Sequence, residues 1–438
     1  MRFLVVGGGA REHAIVDALM KDDSEVYAYM THPNPGIKRL ASGYFIGKMD
    51  DTEAAVTFAK SNRTGIAVIG PEAPLAAGMV DALEAAGIPC IGPDKEHAQL
   101  ESSKGFTRNL LEKYAIDASP KFRVFGNDDD AREMEEFMDE LGSFVIKPDG
   151  LTGGKGVKVL GEHLEGKEDA LLYCNEIIGN HSQVIIEEKM DGEEFSLQTL
   201  TDGNSFLHFP PVQDHKRAFE GDEGPNTGGM GSYSDANMLL PFLEQRDIRE
   251  AKAITEQVAA AIEQELGSAY RGVMYGGFMK TNDGIKLIEY NARFGDPEAM
   301  NVLPLLKTSF ARICEAAAEG KLGEMEVEFE KNATVCKYVV PEGYPDSPKA
   351  GIIKVPEQEE ALMYYANVEE KDGEIITAKS RAIAFVGVAE TLKKAERIAE
   401  AAAAKVEGSV YHRKDIGTVE LLDKRIEHIR EMAEAQHP

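Results

Sequence analysis

IKPDGLTGGKGVKV, residues 146–159, decides how the rest of the chain is read. It reads as a strand ending at Lys147, a turn holding Gly150, Gly153, Gly154, Lys155 and Gly156, and a second strand from Val157. Four glycines in seven residues leave backbone N–H groups exposed and let the chain lie close to a polyanion, while Lys147 and Lys155 supply charge. This composition suits a phosphate cradle. It is not the GxxxxGK[ST] loop, which needs a hydroxyl residue after the lysine and then a helix; here Gly156 and a β-branched run follow Lys155. A hairpin closing over a nucleotide is expected, with a purely structural hairpin as the alternative.

Around the hairpin, an acidic helix over 128–141, a helix over 164–178 and a strand over 183–188 make a compact α+β piece, 121–190, of the kind that moves as a lid. IIEEKMDGEEFS, 185–196, joins this lid to the body. A strand-to-strand linker offers backbone groups to an adenine edge and carboxylates to the amino group and ribose; a plain surface crossing is the alternative. QDHKRAFEGDEGPNTGGMGSYS, 213–234, follows, with Asp214, His215, Lys216 and Arg217 adjacent and a glycine-rich run suited to no regular element. It reads as a binding loop. His215 is assigned no role.

After a long amphipathic helix over 241–266, strands are expected over 272–280 and 285–291. The second runs into LIEYNARFGDPEA, 287–299. Glu289 and Asn291, two apart on a strand, point to one face. A carboxylate and an amide oxygen so placed suit a hard cation such as Mg²⁺, which takes its remaining ligands from phosphate and water. Arg293 can grip a carboxylate or phosphate with a bidentate fork. Asp296 and Glu298 flank Pro297 and read as helix caps.

Upstream, the strand 2–6, the glycines Gly7, Gly8 and Gly9 and a helix from Ala10 begin an α/β unit. Further strands are expected over 25–30, 66–69 and 89–91, with helices from about 51, 75 and 94, which makes a doubly wound parallel sheet. GGGAREH (7–13), HPNPG (32–36) and GPEAPL (70–75) lie at its carboxyl edge, where ligands bind. A nicotinamide dinucleotide is disfavoured: Glu12 stands where the fingerprint needs Gly or Ala, and the second strand ends in Met30, Thr31 and His32 with no acid. A small phosphate or sugar phosphate at the N–H groups of Gly8 and Gly9 is reasonable. Glu72, between Pro71 and Pro74, suits ribose hydroxyls or is a solvated turn residue. From 326 onward an α+β cap is expected, with strands over 333–340 and 382–388 and a helix over 392–406. There Lys337, Arg381 and Arg413 face either a substrate phosphate or solvent.

The 438 residues exceed one core and predict two to four domains. With 43% hydrophobic and 28% charged residues, and no apolar run near the roughly 20 residues of a membrane span, a globular cytoplasmic protein is expected. Met1 leads straight into a strand, leaving no room for a signal peptide. Cys90, Cys174, Cys314 and Cys336 lack CxxC spacing and read as buried small hydrophobes. A formal charge of −28 argues against nucleic acid or an anionic membrane as partner.

GGGAREHAI, GPEAPL, KPDGLTGGKGV, QDHKRAFEGDEGPNTGGMG and EYNARFGDPEA occur in this order over nearly the whole chain. In them the sequence resembles the ATP-grasp ligases, and among these the phosphoribosylamine–glycine ligase family. The resemblance implies an N-terminal α/β domain (1–103), an ATP-grasp body (104–120 and 191–325), a lid (121–190) and a C-terminal domain (326–438). It implies that Lys104, Lys147 and Lys216 contact ATP, that Gly153, Gly154, Lys155 and Gly156 close over the phosphates, and that Glu187 and the backbone near Met190 meet adenine. Glu194 would meet the ribose, and Glu289 and Asn291 would hold Mg²⁺ or Mn²⁺. Lys147, Arg293 and Asp214 are the catalytic candidates. Gly8, Gly9, Glu72, Asp214, Arg293, Lys337 and Arg381 are the substrate candidates.

The implied reaction joins glycine to 5-phosphoribosylamine through glycyl phosphate, releasing ADP and phosphate, in purine biosynthesis. A monomer is expected, with a weak dimer as the alternative. The sequence departs from the commoner pattern at Gly8, in HPNPG, at Thr152 and Gly153, and at Ala299 and Met300. The strand before Glu289 carries Met279 where related enzymes often place a second acidic ligand. Two rivals remain: a carboxylase or formate-using ATP-grasp ligase, which should lack GPNTGGMG and RFGDPE, and a nucleotide-binding regulator without turnover.

Overall fold

The computed structural model describes residues 1–151, 156–357 and 359–435. Gly153, Gly154 and Lys155, expected to close over phosphates, lie outside the described residues.

The first domain is a five-stranded sheet in the order β3-β2-β1-β4-β5, built from β1 (Arg2–Val6), β2 (Glu25–Met30), β3 (Gly43–Ile46), β4 (Ile66–Ile69) and β5 (Cys90–Ile91). Every pairing is parallel. β1 and β4 are apolar and buried, as strands covered on both faces must be. The turn after β1 needs its glycine: Gly7 has φ +118, and a Cβ there would lie 2.6 Å from the Glu12 side chain.

The lid is a four-stranded antiparallel sheet, order β6-β9-β7-β8, of β6 (Phe122–Gly126), β7 (Phe144–Pro148), β8 (Lys158–Val159) and β9 (Gln183–Glu188). The expected hairpin is there, with Val145 opposite Val159 and Ile146 opposite Lys158. The helices Ala131–Leu141 and Lys167–His181 cover the sheet. They close a small core of Phe125, Met134, Met138, Phe144 and Ile177 that is separate from the body's core. A unit with its own core can swing without unpacking its neighbour.

The body follows with β10 (Glu193–Thr201), β11 (Phe206–His208), β12 (Gln213–Asp214), β13 (Arg217–Phe219), β14 (Glu223–Asn226), β15 (Gly231–Ser234), β16 (Gly272–Thr281) and β17 (Gly284–Asn291). Its main sheet runs β11-β10-β16-β17 against the helix Gln245–Leu266. The expectation that 213–234 holds no regular element is corrected: it contains four short strands. Glycines at positive φ, Gly221 between β13 and β14 and Gly229 between β14 and β15, turn the chain between them. β15 is drawn into the C-terminal sheet by pairing with β18 (Ala333–Pro341), Gly231 opposite Lys337. Tertiary pairing overrides weak local propensity here.

The C-terminal sheet continues through Ile383–Ala389 and Leu362–Tyr365 and is covered by the helix Leu392–Ala403. A last helix, Val419–Ala435, returns to the body, where Asn282 Nδ2 donates to the Met432 carbonyl (2.9 Å). All four cysteines are free and buried, as expected. Among the described residues no helix is long and apolar enough to cross a membrane.

Candidate active site

β7 delivers Lys147, 7% exposed, to the junction of lid and body. Its Nζ lies 2.6 Å from Glu187 Oε2 on β9 and donates to the Ile288 carbonyl at 3.3 Å. Glu187 also takes the fork of Arg108: Nε to Oε1 at 2.7 Å and Nη2 to Oε2 at 3.1 Å. Arg108 donates further to the carbonyls of Leu287 (3.0 Å) and Ile288 (2.9 Å). Those carbonyls are accessible because β17 bulges there: Leu287 pairs with Phe278 and Glu289 with Gly277, leaving Ile288 without an opposite residue. Burial alone would raise the Glu187 carboxyl, but Arg108 and Lys147 outweigh it and hold the group at about 2. Burial lowers the Lys147 ammonium, with Glu187 opposing. Lys104 opens the helix Lys104–Lys113, whose N-cap is Ser103, and donates to the Gly150 carbonyl at 2.9 Å. It thus touches the glycine turn from the body side.

Glu289 stands at the centre of this positive field. Burial would raise its carboxyl, but Lys216, Lys104, Lys147 and Arg293 together hold it below the usual range. Among the described residues it makes no ion pair with any of them. A charged carboxylate ringed by cations yet contacting none fits a site where a metal ion and a polyanion enter together. Asn291, on the same face, accepts from Arg293 Nη2 at 3.3 Å. The described residues contain no cluster of three His, Cys, Asp or Glu able to hold a metal.

Arg293 links three parts of the chain. Nη2 lies 2.9 Å from Glu101 Oε1, and Nε is 3.6 Å from Glu72 Oε2 of the first domain. Among the described residues its Nε–H has no hydrogen-bond acceptor although it is buried. Burial opposes its charge, but Glu101 and Glu72 outweigh that and raise its pKa. Glu101 is itself fixed by the Ala292 N–H (2.8 Å).

On the other side of Glu289, burial and then the Glu298 carboxylate push the Asp214 carboxyl well above its usual value. Glu298 is likewise raised by burial, against a 2.7 Å hydrogen bond from Tyr275. Lys216 is raised chiefly by Glu194, whose carboxylate lies 3.3 Å away. Glu298 holds the N-cap position of the helix Ala299–Val302, but neither it nor Asp296 caps it with a side chain, which corrects the reading of that motif. The helix Ala299–Val302 has no side-chain cap, and Asp296 instead accepts from Tyr338 (2.6 Å) and pairs with Arg381 (3.3 Å).

Not every candidate reaches this face. Lys337 has a fully buried side chain whose Nζ meets Glu396, Glu400 and the Lys414 carbonyl, each at 2.7 Å, so its three hydrogens are already used. Arg381 turns inward, donating to the carbonyls of Gly228, Gly229 and Asp296 with its guanidinium 4.5 Å over the Tyr338 ring. It braces the GPNTGGMG run. The Gly9 N–H is taken by Glu12 Oε2 at 2.6 Å, and the Gly8 carbonyl accepts from Asn34 (2.9 Å). Met190 lies half-buried between β9 and β10, and the Gly156 carbonyl accepts from Tyr173 at 2.8 Å.

Arg108, Glu101, Tyr275 and Glu298 were not anticipated as site residues. Arg108 carried a signal: in the helix Lys104–Lys113 it falls on the buried face with Leu111, three residues on. A charge in an apolar stripe needs a buried partner.

Three models of the phosphoribosylglycinamide synthetase family match consecutive parts of the chain: the N domain over residues 1–101, the ATP-grasp (A) domain over 102–299 and the C domain over 334–419. The phosphoribosylamine–glycine ligase of Methanocella arvoryzae is 49% identical over 433 residues, 98% of this chain and 99% of that protein. The crystal structure of the phosphoribosylamine–glycine ligase of Thermotoga maritima superposes with a TM-score of 0.80 at 32% identity, covering 95% of this chain and all of that one. The biotin carboxylase domain of the Hydrogenobacter thermophilus 2-oxoglutarate carboxylase, solved with MgADP and bicarbonate, shares the fold at a TM-score of 0.75 and 16% identity, covering 98% of this chain and 97% of that one.

Proposed function

The chain belongs to the phosphoribosylglycinamide synthetase family, and from that premise we propose that the groups around Glu289 are its ATP and glycine site. The protein is a ligase that joins glycine to phosphoribosylamine at the expense of ATP, in purine biosynthesis. The observation carrying the site assignment is Glu289 itself, a charged carboxylate among Lys104, Lys147, Lys216 and Arg293 that pairs with none of them.

ATP lies between lid and body, with its phosphates against Lys104 and Lys147. Lys147 already gives hydrogens to Glu187 and Ile288, and its ammonium has one more for a phosphate oxygen. Both Glu187 oxygens are engaged, so Glu187 acts on ATP through Lys147, and adenine is left to the backbone near Met190. Glu194, steadied by Lys216, suits the ribose. Glu289 and Asn291 hold Mg²⁺, with Mn²⁺ as a substitute; when bound, the cation offsets charge on the triphosphate.

A glycine carboxylate oxygen bonds to the γ-phosphorus as the bond to the ADP oxygen breaks, giving glycyl phosphate. The Arg293 Nε–H, without a hydrogen-bond acceptor among the described residues, is offered to that carboxylate. Asp214 orients the glycine ammonium. The amine of phosphoribosylamine then attacks the carbonyl carbon, loses a proton, and phosphate leaves with the bridging oxygen. Glu72 meets the sugar, and the sugar-phosphate contact rests on Gly8 and the helix after it. The lid excludes water from the acyl phosphate. The proposed working unit is a monomer.

ADP release measured with and without glycine and freshly generated phosphoribosylamine tests this. Release that requires glycine is expected. Release that ignores glycine overturns the site reading, and tight ATP binding without turnover favours a regulator.

A further inference from the structure

The QDHKR motif has a second side. Asp214 and Lys216 point toward Glu289, while Gln213 and His215 are each only 2% exposed and turn the other way, Gln213 onto Glu193 and Tyr233 and His215 beside Arg413 and Arg425 of the C-terminal domain. This is the alternation of an extended chain, in which neighbouring residues take opposite faces. What they face is a buried chain of charges. Arg413, fully buried, gives two bonds to Asp415 (2.9 and 2.7 Å), one to Asp222 (3.0 Å) and one to the Arg217 carbonyl (3.0 Å). Arg425, on the last helix, pairs with Asp222 and lies 3.4 Å from Glu193. Glu193 in turn accepts from the Gln213 amide at 3.3 Å, and Tyr233 donates to that amide's oxygen at 2.6 Å. Gln213 also donates to the carbonyl of Glu194, the residue that pairs with Lys216.

His215 sits within this network, its ring 5.8 Å from that of Tyr233 and, among the described residues, both ring nitrogens without a hydrogen-bond partner. Burial, then Arg413 and Arg425, hold it neutral, at about 3. It packs as an uncharged plate.

We propose that Arg413 and Arg425 are positioning residues for the ligation: through Asp222, Glu193 and the Arg217 carbonyl they clamp residues 213–217 from behind, so that Asp214 and Lys216 are held against the reactants. None of the clamp touches substrate. The proposal rests on the reading that Asp214 meets glycine, and the test separates the two.

Arg413→Lys keeps the charge but replaces a four-bond fork by an ammonium with three hydrogens, which cannot hold both aspartates in the same planar geometry. In steady-state kinetics this variant is expected to lower kcat/KM for glycine by about tenfold. Combined with Asp214→Asn, it should lower the value little beyond Asp214→Asn alone, because residues acting through one group are not additive. Leu83→Ala supplies the control. It opens a cavity in the first domain's own core, away from residues 213–217, and should lower Tm while leaving kcat/KM for glycine within about twofold. Unchanged glycine kinetics in Arg413→Lys overturn the clamp, as does a fully additive double variant. A wild-type kcat/KM in Asp214→Asn overturns the site reading instead. Arg425→Lys, at a side chain 17% exposed, carries the same comparison should Arg413→Lys fail to fold.

Discussion

Lys147 and Lys337 are both buried lysines in an acidic chain, and they differ in what is left over. Lys147 meets one carboxylate and one carbonyl, beside a second carboxylate, Glu289, that makes no ion pair among the described residues. Lys337 meets two carboxylates and a carbonyl, which uses every hydrogen it has. The sequence offers no way to tell them apart, since each ends or lies within an apolar strand. The structure does so by counting acceptors. A buried cation handles a ligand only where the fold leaves it a donor to spare.

The largest effect expected from this contrast is at Lys147. Lys147→Ala should lower turnover by at least about a hundredfold, the scale for losing one well-placed electrostatic group. Circular dichroism should stay native, because Arg108 still neutralises Glu187 with two bonds. Near-normal rates in that variant would break the comparison at its first arm.

Glu289→Gln keeps the shape and removes the charge. It should raise the Mg²⁺ concentration for half-maximal rate by about tenfold, the worth of one charged contact. An unchanged Mg²⁺ titration would place the metal elsewhere.

The pH dependence sharpens the picture further. Burial and Glu298 raise the Asp214 carboxyl, so it is neutral at a pH where an ordinary aspartate is already charged. Only the ionised form neutralises an ammonium, so kcat/KM for glycine should fall as pH drops through a pKa well above that of an ordinary aspartate, and Asp214→Asn should remove that limb. Glu187, at about 2, stays ionised through the whole window and contributes nothing to the limb.

Lys337→Met is the smallest expected effect on activity. It leaves Glu396 and Glu400 without their buried cation and should cost about 3 kcal/mol of stability, seen as a lower Tm, with kcat/KM of the folded enzyme within about twofold. Lost activity at unchanged Tm would show that the spare-donor rule fails.

Much of the fold was legible where local pattern and final environment agree. The apolar runs of β1, β2 and β4 and the hairpin at 146–159 are of this kind, and strand alternation alone put Glu289 and Asn291 on one face. β3 was missed because Tyr44, Phe45 and Ile46 remain about 42–43% exposed on an edge, where no apolar–polar alternation develops. The strands within 213–234 were missed because pairing, and not propensity, makes them: β15 pairs with the distant β18, β12 with β15, and β13 with β14. Arg108 and Glu101 were missed for a third reason: each acts on a residue roughly eighty to two hundred positions away, Glu187 or Arg293, and spacing along the chain does not report such pairs. The Gly9 N–H was read as an anion donor, but Glu12, three residues on, had already claimed it.

The proposed transfer of phosphate to glycine's own carboxylate is tested most directly with glycine labelled by ¹⁸O in its carboxylate oxygens. Phosphate collected from single turnovers with ATP and phosphoribosylamine should carry one glycine-derived oxygen per amide formed. Phosphate free of label, with both oxygens still on glycine or its product, would contradict passage through glycyl phosphate at the Glu289 site.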